Sequence, residues 1–174
     1  MGIITYNLQS IKKELQHLSS DQLAELCLRL TKYKKENKEL LSYLLFEANN
    51  EAGYIEGIKQ EMDTLFAEMN NHYYYQAKSL RKILRLVTKH TKFMASKSAE
   101  IDLLLHFSKQ YSIYIDKRIG YKPLKQLLHR QLEKIAKLIS ALHEDLQYDY
   151  KNEFETVVLQ ADEQYSWINK RDYL

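Results

Sequence analysis

Glycine, proline and cysteine are nearly missing from this chain of 174 residues, which has 4, 1 and 1 of them. So few turn formers exclude a sandwich, a barrel or a doubly wound sheet, all of which need many tight turns. One cysteine, Cys27, makes no intramolecular disulfide and no thiolate cluster. Flanked by Leu26 and Leu28, it is expected to be a buried and inert thiol. Long apolar runs are also absent: Leu44-Leu45-Phe46 and Leu103-Leu104-Leu105 are far too short to span a bilayer. Ile3-Ile4 gives way to Lys12, Lys13 and Glu14, so a secretory leader is not expected. Tyr6 stands where myristoylation would want Ser or Thr. The expected setting is soluble and cytoplasmic.

What the chain does have is helical periodicity. Hydrophobic residues make up 45% and charged residues 28%, enough apolar material for a folded core. Apolar residues recur at spacings of three and four in Leu8, Ile11, Leu15 and Leu18, and again in Leu23, Leu26, Cys27 and Leu30. Ser19-Ser20-Asp21 offers N-caps for the second of these helices. A third helix turns Leu40, Leu41, Leu44 and Leu45 inward and ends at Asn49-Asn50. A fourth carries Tyr54, Ile55, Ile58, Met62, Leu65, Phe66 and Met69, with Asn70-Asn71 as its break. The fifth starts within Tyr73-Tyr74-Tyr75 and uses Leu80, Ile83, Leu84 and Val87. The sixth, with Ser98 as N-cap, uses Ile101, Leu104, Leu105 and Tyr111. Gly120 and Pro123 then mark the clearest break, a glycine stop before a proline at a helix start.

Beyond Pro123 apolar residues recur from Leu124 through Leu128, Leu132, Ile135, Ile139, Leu142, Leu146, Phe154, Val157, Ala161 and Tyr165 to Ile168. The stretch from Gln147 to Glu153 holds no aliphatic residue, so a bend or break is expected there; the alternative is one continuous helix. Residues 1–120 thus read as a helical-hairpin body of about six helices. Residues 121–174 read as a long C-terminal helix or helical hairpin packed on that body in the same domain.

Two windows match 57 positions apart: Leu23, Leu26, Cys27, Leu30, Thr31, Lys32 and Tyr33 fall on Leu80, Ile83, Leu84, Val87, Thr88, Lys89 and His90. Amphipathic helices of equal length often align this well. The pattern nonetheless resembles the stacked, right-handed hairpins of HEAT and armadillo arrays, an architecture and not a specific family. The expected class is all-α, built of antiparallel helical hairpins in such a stack or in an irregular bundle.

Catalytic and metal-binding patterns are sparse. A di-iron bundle needs two Glu-x-x-His pairs, and only Glu14 with His17 has that spacing. Asp102 and His106 share a helical face, but one pair does not close a metal site. Gly53 and Gly57 lie among Glu51, Glu56 and Lys59 and form no phosphate loop, reading instead as a frayed or closely packed helix start. No catalytic residue, cofactor site or metal site is assigned, and the chain is expected not to be an enzyme.

Charge is the informative feature. Residues 1–70 carry 8 basic against 11 acidic residues, residues 71–130 carry 13 against 3, and residues 131–174 carry 5 against 9. Within the basic middle, Lys78, Arg81, Lys82, Arg85, Lys89 and Lys92 make the fifth helix basic, and Lys78, Lys82, Arg85, Lys89 and Lys92 line one side of it while Leu80, Ile83, Leu84 and Val87 line another. Tyr73, Tyr74 and Tyr75 precede them, and aromatic rings beside a basic strip can stack nucleobases. Acidic neighbours could equally neutralise the strip. The leading expectation is a non-enzymatic protein-interaction or scaffold module that meets another protein, or itself, through apolar helix faces. The alternative is nucleic-acid or other polyanion binding through residues 78–92.

Overall fold

A computed structural model describes residue 2 and residues 4–174; Ile3, half of the Ile3-Ile4 pair, lies outside them. The protein is all-α: 78% of it is helical, in eight α-helices, with no strand among the described residues. The chain divides into two compact units, Met1–Ala48 and Asn49–Leu174.

The first unit holds α1 (Leu8–Leu15), α2 (Ser20–Tyr33) and α3 (Lys35–Ser42), the last running into a π-turn at Tyr43–Glu47. Asn7 caps α1 by accepting from the Ser10 amide at 2.9 Å. Ser19 and Gln22 close a capping box on α2, satisfying two otherwise orphan amides. At the corner Lys34 takes an extended conformation, and the Asn37 side-chain amide donates to the Leu30 carbonyl at 2.9 Å. α2 and α3 pack as a hairpin. Tyr43 is the one buried side chain among the described residues of this unit. Two expectations are corrected here. Leu44 and Leu45 are exposed, not inward, and Cys27 is exposed, not buried. The reason is physical: three short helices and a turn enclose too little volume to cover their own apolar stripes.

The second unit contains α4 (Glu51–Ala67), α5 (Tyr73–Met94), α6 (Lys97–Tyr114), α7 (Lys122–Ser140) and α8 (Glu144–Gln164), closed by a 3-10 turn at Lys170–Asp172. Its centre is α6, which packs against α4, α5, α7 and α8. The sequence Ile-Asp-Leu-Leu-Leu-His-Phe makes this possible, because apolar groups lie nearly all round that helix. Ile101, Leu103, Leu104, Leu105, Phe107 and Tyr111 are all buried. Met62 and Phe66 from α4, Leu80, Ile83 and Val87 from α5, Leu128 and Leu132 from α7, and Phe154 and Val158 from α8 close around them. The Phe66 and Phe107 rings lie 5.6 Å apart, centroid to centroid, in the middle of this core.

Polar side chains cap the starts of α4 and α6. Asn50 caps α4 through the Gly53 amide at 3.1 Å, and its side chain occupies the space a Cβ at Gly53 would need. Nothing lies within 4 Å of a Cβ placed at Gly57, so the Gly53–Gly57 spacing reflects a cap and not close helix packing. Ser96, and not Ser98, caps α6. Pro123 stands in the first turn of α7, where its missing N–H costs nothing.

The break expected between Gln147 and Glu153 falls instead at 141–143, and those polar residues lie inside α8. That interval lacks aliphatic side chains because it is turned mostly to solvent, which a helix tolerates. The real start of α8 is marked by Glu144 and Asp145, whose charges complement the helix dipole.

Two buried phenols secure the loop after α6. Tyr111 donates to the Leu124 carbonyl at 3.0 Å, and Tyr165 donates to the Ile115 carbonyl at 2.9 Å. Burial pushes both hydroxyls well above the ordinary tyrosine range. Because the folded-state pKa lies above the unfolded one, the stability they add is complete below about pH 10 and drains away as pH rises beyond it. In an alkaline titration, most of the 14 tyrosines should ionise while helical circular dichroism is intact. Tyr111 and Tyr165 should ionise only as it collapses; full ionisation before any loss of helix would refute their structural role.

Candidate polyanion-binding face

The histidines are dispersed. His106 Nε2 lies 2.6 Å from Asp63 Oδ1, so its partner is on α4 and is not Asp102. His90 Nδ1 meets the Tyr54 hydroxyl at 2.6 Å, His129 meets the Tyr173 hydroxyl, and His143 Nδ1 lies 3.1 Å from Asp145. Among the described residues no three His, Cys, Asp or Glu side chains are grouped to hold a metal ion. Asp102 is raised above the ordinary carboxyl range, first by burial, against the pull of Lys59 and a hydrogen bond from Tyr150. The Tyr150 phenol is correspondingly pushed up to about 12, again first by burial.

The basic residues of α5 are placed differently. At 3.6 residues per turn, positions 78, 81, 82, 85, 89 and 92 fall within an arc of about 100°, and from 78 to 92 the strip runs about 21 Å. Lys78, Arg81, Lys82, Arg85 and Lys92 are exposed, while Lys89 is half-buried and engaged within the fold. The opposite side of the helix carries Leu80, Ile83 and Val87 into the core, and this fixes the strip toward solvent. Among the described residues no carboxylate lies within 4.0 Å of Lys78, Arg81, Lys82, Arg85 or Lys92.

Three acidic residues of this unit pair with Lys or Arg away from that strip. Glu153 of α8 reaches Lys109 of α6 at 2.7 Å, and Glu100 of α6 takes Lys134 of α7 at 2.5 Å. Asp116 pairs locally with Arg118 at 3.1 Å. Among the described residues these pairs lie on α6, α7, α8 and the loop after α6, and none of them involves Lys78, Arg81, Lys82, Arg85 or Lys92. Like charges three and four apart on a helix repel by a few tenths of a kcal/mol per pair, and Lys78, Arg81, Lys82 and Arg85 have that spacing.

An aromatic cluster sits at the N-terminal end of the strip. Tyr73, Tyr74 and Tyr75 are 46%, 46% and 51% exposed. His72 stacks on Tyr73 at 4.3 Å, Tyr74 meets Tyr75 edge-on at 5.4 Å, and Tyr73 lies 4.7 Å from Tyr121 at the start of α7. The Lys78 ammonium stands 4.7 Å from the Tyr74 ring centroid and 5.7 Å from that of Tyr75, joining rings to cations. Lys78, Arg81, Leu84, Arg85 and Thr88 border a shallow open recess beside them. All six basic residues singled out from the sequence thus share one face. Tyr121 was missed, because it is 48 positions from Tyr73 and only the pairing of α5 with α7 brings the two together.

No helix among the described residues is long and apolar enough to cross a membrane. No family model, curated protein or solved structure matches the chain.

Proposed function

We propose that the protein is a non-enzymatic, cytoplasmic nucleic-acid-binding protein that holds its ligand along the exposed face of α5. The observation that carries this reading is the group of five exposed cations on one helical face, with no carboxylate among the described residues within 4.0 Å and exposed tyrosines at one end. Phosphates placed along the strip relieve the repulsion between its cations and release counterions, which supplies most of the affinity of a sequence-independent binder. The exposed lone thiol of Cys27 fits a reducing compartment. The test is a fluorescence-anisotropy titration of labelled oligonucleotides between about 50 and 300 mM salt. Micromolar or tighter binding that weakens steeply with salt is the expected result, and no binding at the lowest salt would end the reading.

A second reading, contact with another protein or a second copy through apolar helix faces, draws on the first unit. Leu8, Ile11, Leu15, Leu26, Leu28, Leu30, Leu44, Leu45 and Phe46 are all exposed there. A surface this rich in leucine is unusual for a protein that acts alone. Mass in solution discriminates: a clean monomer across concentration removes the self-association version.

A further inference from the structure

We infer that the nucleic acid taken by α5 is single-stranded, with unpaired bases stacked on Tyr74 and Tyr75 and the following phosphates carried by Arg81, Lys82 and Arg85. This rests on the reading above and narrows it from polyanion to strand type. A duplex offers the strip its phosphates, but its bases are stacked on one another, so it would use the cations and leave the rings idle.

The rings are the feature that duplex binding leaves unexplained. Tyr73, Tyr74 and Tyr75 open α5 with about half of each side chain in solvent, although the same helix buries its apolar residues fully two turns later. They are held in place by one another and by their neighbours: His72 against Tyr73, Tyr74 against Tyr75, and Tyr121 braced from α7. A preset aromatic surface loses little conformational entropy when a base lands on it. Lys78, whose ammonium stands over both rings, would be displaced by a stacking base onto the phosphate of that nucleotide. From Tyr74 to Arg85 the axial rise is about 16 Å, long enough for rings and cations to engage successive nucleotides of one strand. α5 also packs against α4, α6 and α7, leaving only a narrow strip open. Such a strip can track one backbone, and base-independent stacking on it makes binding tolerant of sequence.

The test compares a labelled oligothymidine of about 12 nucleotides with a duplex of equal length, against the full chain and two variants. The first variant is Tyr74→Leu with Tyr75→Leu, and the second is Tyr74→Phe with Tyr75→Phe. The wild type should prefer the single strand by at least roughly ten-fold. The leucine variant should lose roughly ten- to hundred-fold on the single strand, keep its duplex affinity within about two-fold, and retain its helical circular dichroism. The phenylalanine variant, which keeps the ring faces, should bind nearly as the wild type does. Equal affinity for both strand types, or an unchanged single-strand affinity in the leucine variant, overturns this inference and leaves polyanion binding standing. Absence of binding to either oligonucleotide overturns both.

Discussion

A protein carrying Arg81→Gln, Lys82→Gln and Arg85→Gln together should bind an oligonucleotide roughly a hundred-fold more weakly than the wild type at about 100 mM salt. Each phosphate contact contributes about 0.7 to the salt slope on a single strand, so the slope should flatten by about 2 when three contacts are lost. The three positions lie on the solvent side of α5 with no carboxylate partner among the described residues, so glutamine replaces charge without breaking an ion pair seen there. Removing repulsion from Lys78 and Lys89 should even raise thermal stability slightly, by a few tenths of a kcal/mol per pair. Weaker binding in a protein that melts no earlier is a signature that misfolding does not produce. Parallel salt plots for variant and wild type would mean that these cations are not at the interface.

The largest effect on stability is expected at the centre of α6. Phe107 is fully buried and meets both Phe66 and Tyr111. Phe107→Ala removes that ring and leaves a cavity which helices on four sides cannot collapse into, for a loss of about 3–5 kcal/mol. Natural domains are stable by only about 5–15 kcal/mol, so the urea midpoint should fall by a large fraction of its value. Phe107→Leu, which refills most of the space, should cost far less, about 1 kcal/mol. Similar midpoints for the alanine and leucine variants would show that the ring is not the keystone of this core.

Much of the second unit is legible in the sequence because its periodicity and its punctuation agree. Leu80, Ile83 and Val87 predict the buried side of α5, and that leaves the basic residues of the same helix on the outside. Gly120 and Pro123 locate the start of α7, and Asn70-Asn71 the gap before α5. The α7–α8 corner misleads because its signals are weak: no glycine or proline marks residues 141–143, whereas the polar run from Gln147 draws the eye and lies inside a helix. Local spacing also cannot report what covers a stripe. Leu44 and Leu45 have the spacing of inward residues and are exposed, and Cys27, between two leucines, is exposed with them. For the binding face the cations and tyrosines can be read directly, but their freedom from acidic partners cannot. Where carboxylates end up is set by tertiary packing: Glu153 and Glu100 meet Lys109 and Lys134, 44 and 34 residues away in the chain.

The poverty of burial in Met1–Ala48 bears on how the molecule comes apart. One buried side chain offsets little of the chain entropy of α1–α3, whereas α4–α8 share a continuous core. Amides of the first unit should therefore exchange with solvent through local opening, far faster than those of α6. The single tryptophan, Trp167, lies in the second unit among His129, Tyr165 and Lys125, so its emission should follow that unit. Helical circular dichroism should begin to fall at lower denaturant than tryptophan emission, and one free energy of unfolding would not describe the chain. Coincident curves would instead mean that the two units melt as one.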